Sequence, residues 1–383
     1  MDAAQPIKEQ FIIENIPAKR RRLESTGNIE PLNPKPKVDP LLIFAECKEQ
    51  NRPVLIAGPM VRYSKLPFRE LVGLYESDFI YTPMILAREF VRHRGGRDSD
   101  FTTNLKEQHS RQALSGKKQC LIVQVGANNV TDLLRFVEMI HPYCDAIGLN
   151  CGCPVREQVR EGIGAALMSD RFKVAKFVKA VKKRWGDKVK METKIRVHDN
   201  VQETIQFVQE VEKAGVDWIT IHGRTKDTRS SVPVDLEKIK LVREAIKRVP
   251  VVANGDCFKP EDIQRITDYT KVDGVMAVRG VLNNPCLFTM RSEATWGAVE
   301  RLISSVMEYG LPFQLAQHHV SCMMPKGSAI MNRLNKSLNE CTSMVGMLDW
   351  FDDNFELRRL RQEGFAEERS FEDARRGGAG EKH

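Results

Sequence analysis

The chain has 383 residues, enough for one large barrel with a smaller domain or for two to three average domains. Lys and Arg outnumber Asp and Glu by 59 to 51, and the formal net charge of +8 favours a polyanionic partner, nucleic acid before an acidic membrane surface. No apolar run approaches the roughly 18 residues of a membrane span and no secretory signal is present, so we expect a soluble intracellular protein without a membrane partner.

Residues 1–40 are polar and proline-rich and lack sustained periodicity, which predicts a disordered basic tail. Within this tail, Lys19–Arg22 is a run of four basic residues. A solvated charge run is the simpler interpretation, and a nuclear localisation signal or an RNA-contacting arm is the functional one. We therefore expect a cytoplasmic protein that this run can also direct to the nucleus.

From Val54 onward, short apolar runs alternate with longer amphipathic stretches. Eight runs predict buried strands: Val54–Gly58, Phe79–Met84, Leu121–Gly126, Ala146–Asn150, Val189–Val197, Trp218–Gly223, Pro250–Asp256 and Gly274–Gly280. Helical spacing predicts helices between them, clearest at Val130–Ile140, Lys173–Lys183, Val201–Ala214 and Leu236–Lys247. Eight alternating units of this size fit a TIM (β/α)8 barrel. A doubly wound open sheet is the alternative, but polar residues follow most of the strands, as on the catalytic face of a TIM barrel.

The fold class that we predict is thus α/β, a TIM barrel followed by a small all-helical C-terminal domain. We assign the barrel to 41–285, the helical domain to 286–357 and a charged flexible tail to 358–383. Three stretches carry the helical pattern of the second domain: Ala298–Tyr309, Leu315–Met323 and Ala329–Leu338. Pro325 is expected to interrupt that pattern. Gly95–Lys118, long, polar and basic, is expected to be a surface excursion after the second strand.

The stretch Leu149–Val155, LNCGCPV, closes the fourth predicted strand and then turns. Cys151 and Cys153 alternate along the chain, so at most one of them easily points into a given pocket. Buried small hydrophobes, zinc ligands and a catalytic thiol are the alternatives; zinc is the weakest, because the paired spacings of structural zinc sites are missing. A free thiol has a pKa of about 8.5, so at neutral pH it can donate a proton or become a nucleophile.

Polar residues at the other strand ends indicate a site for a flat, hydrogen-bonding ligand with a phosphate, a description that fits FMN. Lys194 is placed to neutralise charge at N1/O2 of the reduced flavin, and Gln124 to bond its pyrimidine edge. The phosphate would lie after the seventh and eighth strands, at Asn254, Gly255, Arg279 and Gly280. The alternative is a lysine in an interior salt bridge and glycines that serve only turns. A phosphate-binding glycine loop of another kind is not present in the sequence.

Seven short motifs follow one another along the predicted barrel: PM, QVGAN, NCGCP, KIR, HGRT, NGD and VRG. In order and spacing they resemble the tRNA-dihydrouridine synthases, over about Val54 to Pro285. PMVRYSKLPFR, DSDFTTN and PYCDAIGLNCGCP make the chain most similar to the eukaryotic branch that acts on D-loop positions 20a and 20b.

This resemblance implies a set of site residues. Contacts to FMN are expected from Pro59, Met60, Val61, Gln124, Lys194, His222, Asn254, Gly255, Asp256, Val278, Arg279 and Gly280. Cys153 becomes the catalytic proton donor, and Asn150, Arg196 and His198 are expected near the uracil. NADPH or NADH is expected to reduce the flavin. We expect a monomer that binds the D-loop of tRNA and holds no metal.

In the implied reaction, a D-loop uridine in tRNA is reduced to 5,6-dihydrouridine. Hydride passes from N5 of the reduced flavin to uracil C6, which is conjugated through C5 to the C4 carbonyl. The enolate character that develops requires a proton at C5, and the neutral thiol of Cys153 supplies it. The target uridine must be turned out of the folded RNA into the barrel mouth.

Two other functions remain open from the sequence. An FMN-dependent TIM-barrel reductase of a small molecule, as in the dihydroorotate dehydrogenase class, shares the lysine, the asparagine and the phosphate loops but has no need for a basic exterior. A non-catalytic tRNA-binding protein or chaperone would use the barrel as a scaffold. The presence of both Cys153 and Lys194 argues against the second.

Overall fold

The computed structural model describes residues 37–104, 107 and 112–376 of the chain. The basic run Lys19–Arg22 and the final residues of the predicted C-terminal tail lie outside the described residues. The described chain forms a barrel of parallel strands with helices around it and further helices at its C-terminal side.

The barrel is one closed parallel sheet. Its strands, within the described residues, are Val54–Ala57 (β1), Phe79–Tyr81 (β2), Ile85–Leu86 (β3), Cys120–Gly126 (β4), Ala146–Asn150 (β5), Lys190–Arg196 (β6), Trp218–His222 (β7), Val251–Asn254 (β8) and Gly274–Ala277 (β9). Neighbours pair in the order β2-β1-β9-β8-β7-β6-β5-β4-β3, and β2 also pairs with β4, which closes the ring. The predicted TIM barrel is confirmed.

The second predicted strand is split into β2 and β3, which both pair with β4. Pro83 lies in the gap and has no N–H to donate to a ladder. The hydroxyl of Thr82 accepts from the backbone N–H of Gln124 at 3.1 Å instead. The backbone N–H of Gln124 therefore keeps a hydrogen-bond partner at the break between β2 and β3.

Amphipathic helices cover the outside of the barrel. Val130–Ile140 is typical: the Asn129 side chain accepts from the backbone N–H of Asp132 at 2.8 Å and caps the helix, whose apolar side is buried. The four helices predicted from spacing are confirmed to within two residues at either end. The helices of this layer are Leu66–Leu74, Ala87–Arg92, Arg94–Asp100, Val130–Ile140, Arg156–Arg160, Arg171–Trp185, Val201–Lys213, Leu236–Ala245, Pro260–Thr270 and Arg279–Asn283, with short 3₁₀ turns at His141–Tyr143, Gly164–Ser169, Gly186–Lys188 and Leu287–Thr289.

Helix Pro40–Glu49 lies against the amino-terminal ends of the strands. Phe44 contacts Phe79 edge-on at 5.3 Å and Trp218 at 6.2 Å, and all three side chains are buried. This helix closes the bottom of the barrel, so the opposite end is the open one. It was not among the predicted helices.

The C-terminal helices are Trp296–Tyr309, Phe313–Met323, Ala329–Glu340 and Met344–Asn354, followed by the turn Phe371–Ala374. Pro325 lies between the second and the third, as expected. The predicted flexible tail is wrong for residues 358–376. Phe371 is buried against the Trp296 ring at 5.4 Å, and Arg369 lies 3.2 Å from the buried carboxylate of Glu300. Residues 358–376, despite their alternating charges, therefore pack against the C-terminal helices.

The described part of Gly95–Lys118 continues from helix Arg94–Asp100 and returns through an antiparallel bridge between Gln112 and Lys118. A buried ion pair between Arg69 and Glu107, 2.7 Å apart, fixes it to helix Leu66–Leu74. Among the helices of the described ranges, none is long and apolar enough to cross a membrane.

Candidate active site at the barrel mouth

The carboxyl ends of the strands surround an open cavity of about 280 Å³. Every predicted site residue except Met60 and His198 lines it. The lining residues from the prediction are Pro59, Val61, Gln124, Asn150, Cys153, Lys194, Arg196, His222, Asn254, Gly255, Asp256, Val278, Arg279 and Gly280. Residues that are far apart in sequence thus meet at one face because parallel strands end together there.

The loop after β5 presents Cys153 to this cavity. The side-chain oxygen of Asn150 accepts from the backbone N–H groups of Gly152 and Cys153, at 3.1 and 2.9 Å. The Asn150 amide in turn donates to the Gln124 side chain at 2.9 Å. Cys151 is fully buried in the layer between strands and helices, where burial raises its pKa. Of the two cysteines in this loop, Cys153 is therefore the one that can meet a ligand, and Asn150 orients the loop.

Arg196 fastens the same loop from β6. Its Nε donates to the carbonyl of Gly152 at 2.8 Å, and its Nη1 donates to the carbonyl of Thr225 at 2.8 Å. The guanidinium thereby joins the loop after β5 to the loop after β7. Burial lowers the pKa of Arg196.

Gly164 holds the other side of the loop. Its φ is +63°, and a Cβ built there would lie 2.6 Å from the Cys153 carbonyl oxygen, which accepts from the Ala165 N–H at 2.8 Å. A side chain at this position would have to push the Cys153 backbone away.

We expect Gly164→Ala to lower the rate of the reaction in which Cys153 takes part by at least about tenfold. The added methyl group would displace Cys153, and displacing a reacting group by a fraction of an ångström is costly. Gly116→Ala is the matched control: φ is +83° there, with no atom within 4 Å of the added Cβ. Both changes strain a left-handed backbone by about 1–2 kcal/mol. Equal losses of activity in the two variants, measured beside urea unfolding, would contradict a role for Gly164 in placing Cys153.

Lys194 crosses the cavity floor from β6. Its Nζ donates to Asn254 Oδ1 at 2.7 Å, and the Asn254 amide donates to the Met276 carbonyl at 3.1 Å. Burial lowers the pKa of Lys194 to about 8, the Glu192 carboxylate and Cys153 raise it, and Arg196 lowers it further. The Gln124 side chain is buried, and its Nε2 has no hydrogen-bond partner in the described structure.

The loops after β7, β8 and β9 contribute a cationic wall. Arg224 is buried and donates to both Asp256 oxygens at 2.6 Å, and Arg279 lies 3.1 Å from the same carboxylate. Burial lowers the pKa of His222 to about 2, and the nearby lysine and arginines lower it too. His222 is therefore neutral, and its Nε2 accepts from Arg224 Nη1 at 3.2 Å. This wall suits an anionic group.

Two predicted residues lie outside the cavity. Met60 is buried, and its backbone N–H donates to the Ser64 hydroxyl at 3.0 Å. His198 contacts Thr204 Oγ1 at 2.9 Å through Nδ1 and the Met168 carbonyl at 2.8 Å through Nε2. Both ring nitrogens are hydrogen-bonded within the chain, and the predicted place of His198 near the uracil stays a prediction.

Sequence reasoning missed other lining residues. These are Met84, Gly152, Pro154, Arg224, Thr228, Ser230, Cys257, Phe258 and Met276. Arg224 was recoverable, because it stands in the HGRT motif two residues after His222. Thr228 and Ser230 lie in a loop without periodicity, and no sequence signal points to them.

A family model described as dihydrouridine synthase (Dus) matches residues 55–376. The tRNA-dihydrouridine(20a/20b) synthase (NAD(P)+) of Saccharomyces cerevisiae is 51% identical over 343 residues, covering 87% of this chain and 90% of that protein. The protein of the same name in Schizosaccharomyces pombe is 42% identical, covering 86% and 96%. A Homo sapiens protein named tRNA-dihydrouridine(20a/20b) synthase (NAD(P)+)-like is 36% identical, covering 83% of this chain and 95% of that protein.

Proposed function

This chain belongs to the dihydrouridine synthase family, and on that premise we propose that it reduces D-loop uridines of tRNA to 5,6-dihydrouridine, at positions 20a and 20b. FMN is the proposed cofactor and NADPH or NADH its reductant. One observation carries the proposal: a single cavity joins the Cys153 thiol, the Lys194 ammonium and the buried Gln124 Nε2, which has no hydrogen-bond partner among the described residues. That is one proton donor beside two groups that suit a flavin.

The residues at the cavity floor fit a flavin. A buried amide N–H without a partner costs free energy, so Gln124 Nε2 is prepared for an acceptor that a ligand brings, such as a pyrimidine-edge oxygen of the flavin. The Lys194 ammonium, held by Asn254, would meet negative charge at N1/O2 of the same ring. The cationic wall of Arg224 and Arg279 would hold the phosphate.

When bound and reduced, the flavin supplies hydride to uracil C6. Cys153 then delivers the proton that C5 requires as negative charge develops there. Its position is set from three sides: Asn150 binds its N–H, Gly164 leaves room for its carbonyl, and Arg196 holds the preceding glycine. Cys153 is thus the residue that we propose as catalytic, and the other three are positioning residues.

A tRNA partner is supported by charges beside the mouth. The short helix Arg156–Arg160 directly follows the Cys153 loop, and both terminal arginines are exposed. Phe172 is 62% exposed at the start of the lysine-rich helix Arg171–Trp185. Arginines suit backbone phosphates, and an exposed ring can stack on an unpaired base. The net charge of +8 favours the same partner.

The proposal is tested with the purified full-length chain. We expect acid-released flavin to co-migrate with FMN, and NADPH or NADH to bleach the bound flavin. Adding tRNA that lacks dihydrouridine should restore the flavin absorbance without oxygen, whereas orotate or fumarate should not. Reoxidation by a small molecule and not by tRNA would favour a small-molecule reductase instead.

A further inference from the structure

One buried acid below the cavity has no part in the chemistry described so far. Glu192 lies on β6, is 0% exposed, and pairs in register with Gly148 on β5 and Trp218 on β7. A Cβ at Gly148 would lie 2.6 Å from a Glu192 carboxylate oxygen, so the carboxylate occupies the space that this glycine leaves. Glu192 and Lys194 are two residues apart on β6, so their side chains share one face of the strand. Glu192 lies deeper in the barrel than Lys194.

Polar groups surround this carboxylate. Burial raises the pKa of Glu192 to about 7, while Thr220, Tyr81, Lys194 and Trp218 all lower it. None of the side-chain polar atoms of Glu192, Tyr81, Thr220 and Trp218 has a partner at hydrogen-bonding geometry in the described structure. The oppositely charged group that acts on the Glu192 carboxylate is the Lys194 ammonium, two residues further along the same face of β6.

Lys194 is the nearby charge. The titratable groups around it are Glu192 from below, Arg196 on its own strand, Cys153 from the loop after β5, and His222 on β7, whose pKa Lys194 lowers. Burial and Arg196 favour the neutral amine. Glu192 stabilises the Lys194 cation more strongly than Cys153 does, and it lies too deep in the barrel to touch a ligand at the mouth.

We propose that Glu192 is a positioning residue that keeps Lys194 protonated at the base of the flavin site. The use of the Lys194 cation in flavin binding rests on the proposed function. The electrostatic coupling between Glu192 and Lys194 does not depend on that function. Without the carboxylate, burial and the neighbouring Arg196 would leave the Lys194 amine neutral over part of the physiological pH range.

The titration of Lys194 can be measured directly. The full-length chain, freed of flavin, is labelled with trace acetic anhydride between pH 6 and 11, and mass spectrometry follows the peptide that contains Lys194, because only a neutral amine reacts. The wild-type midpoint is expected near pH 8. Glu192→Gln removes a negative charge, which lowers the pKa of Lys194, so its midpoint should move to lower pH by about one unit or more.

Two variants separate charge from packing. Thr193→Val changes the neighbouring buried residue on the opposite face of β6 and should leave the midpoint unchanged. Glu192→Asp keeps the charge and should move the midpoint less than Glu192→Gln does. A Glu192→Gln midpoint at or above the wild-type value would overturn the proposal.

Should Glu192→Gln fail to fold, Lys194→Met is added to it. Restored folding would support the coupling, because removing both members of a buried charge pair is far less damaging than removing one. A double variant that still fails to fold would assign Glu192 a purely structural role and overturn the proposal.

The two proposals fail separately. In the holoenzyme, the alkaline limit of tRNA reduction should shift in Glu192→Gln in the same direction as the labelling midpoint. A wild-type chain that reduces no tRNA would contradict the proposed function. The shift of the Lys194 labelling midpoint in Glu192→Gln would still decide the role of Glu192.

Discussion

Cys153→Ala is expected to lose dihydrouridine formation by about 10² to 10⁴-fold while the chain keeps its flavin and the reduction of that flavin by NADPH. The thiol lines the cavity, and the backbone bonds that place it come from Asn150 and Arg196, so alanine removes the proton donor and little else. Single-turnover reoxidation of the reduced flavin by tRNA measures the loss.

Cys151→Ala is the matched control for this prediction. Cys151 is fully buried in the layer between strands and helices, so its truncation should cost about 1 kcal/mol of stability and leave the reoxidation rate within a few-fold of wild type. Normal tRNA turnover in Cys153→Ala would remove the proton-donor assignment.

Lys194→Met is expected to weaken FMN binding by about 10- to 150-fold. The change removes a charged hydrogen bond of 2.7 Å to Asn254 and the cation that faces the flavin ring, and hydrogen bonds to charged groups are worth about 1.5–3 kcal/mol. Methionine keeps the length and apolar stem of lysine, so the cavity shape is largely retained. Quenching of FMN fluorescence on titration with the flavin-free chain gives the dissociation constant.

Lys190→Met, at the opposite end of β6, is the control. Lys190 lies 3.5 Å from Asp39 at the bottom of the barrel, away from the cavity, and its loss should leave the FMN dissociation constant unchanged. If Lys194→Met bound FMN as tightly as wild type, the place assigned to Lys194 would be wrong.

The barrel could be predicted because its signals are local and repeat. Each strand of a parallel sheet is apolar on both faces, and each following helix has one apolar face, so the alternation is visible along the chain. Since all such strands end at one rim, residues as distant in sequence as Gln124 and Arg279 could be assigned to one site from their places at strand ends. The motifs then indicated which strand ends hold the residues of the site.

The errors arose where distant contacts override local pattern. Helix Pro40–Glu49 follows a proline-rich stretch, and its partner Trp218 is far away in sequence. The charges of residues 358–376 are typical of a solvated tail until Glu300 and Trp296 are placed beside them.

The most direct test of the central claim is mass spectrometry of the tRNA D-loop, in cells that lack this protein and in the same cells with the wild-type chain restored. Dihydrouridine carries two hydrogens more than uridine, so each position can be scored separately. The account predicts that dihydrouridine at 20a and 20b is lost and returns with the wild type, but not with Cys153→Ala. Unmodified uridine at 20a and 20b after incubation of the purified holoenzyme and NADPH with that tRNA would contradict the account.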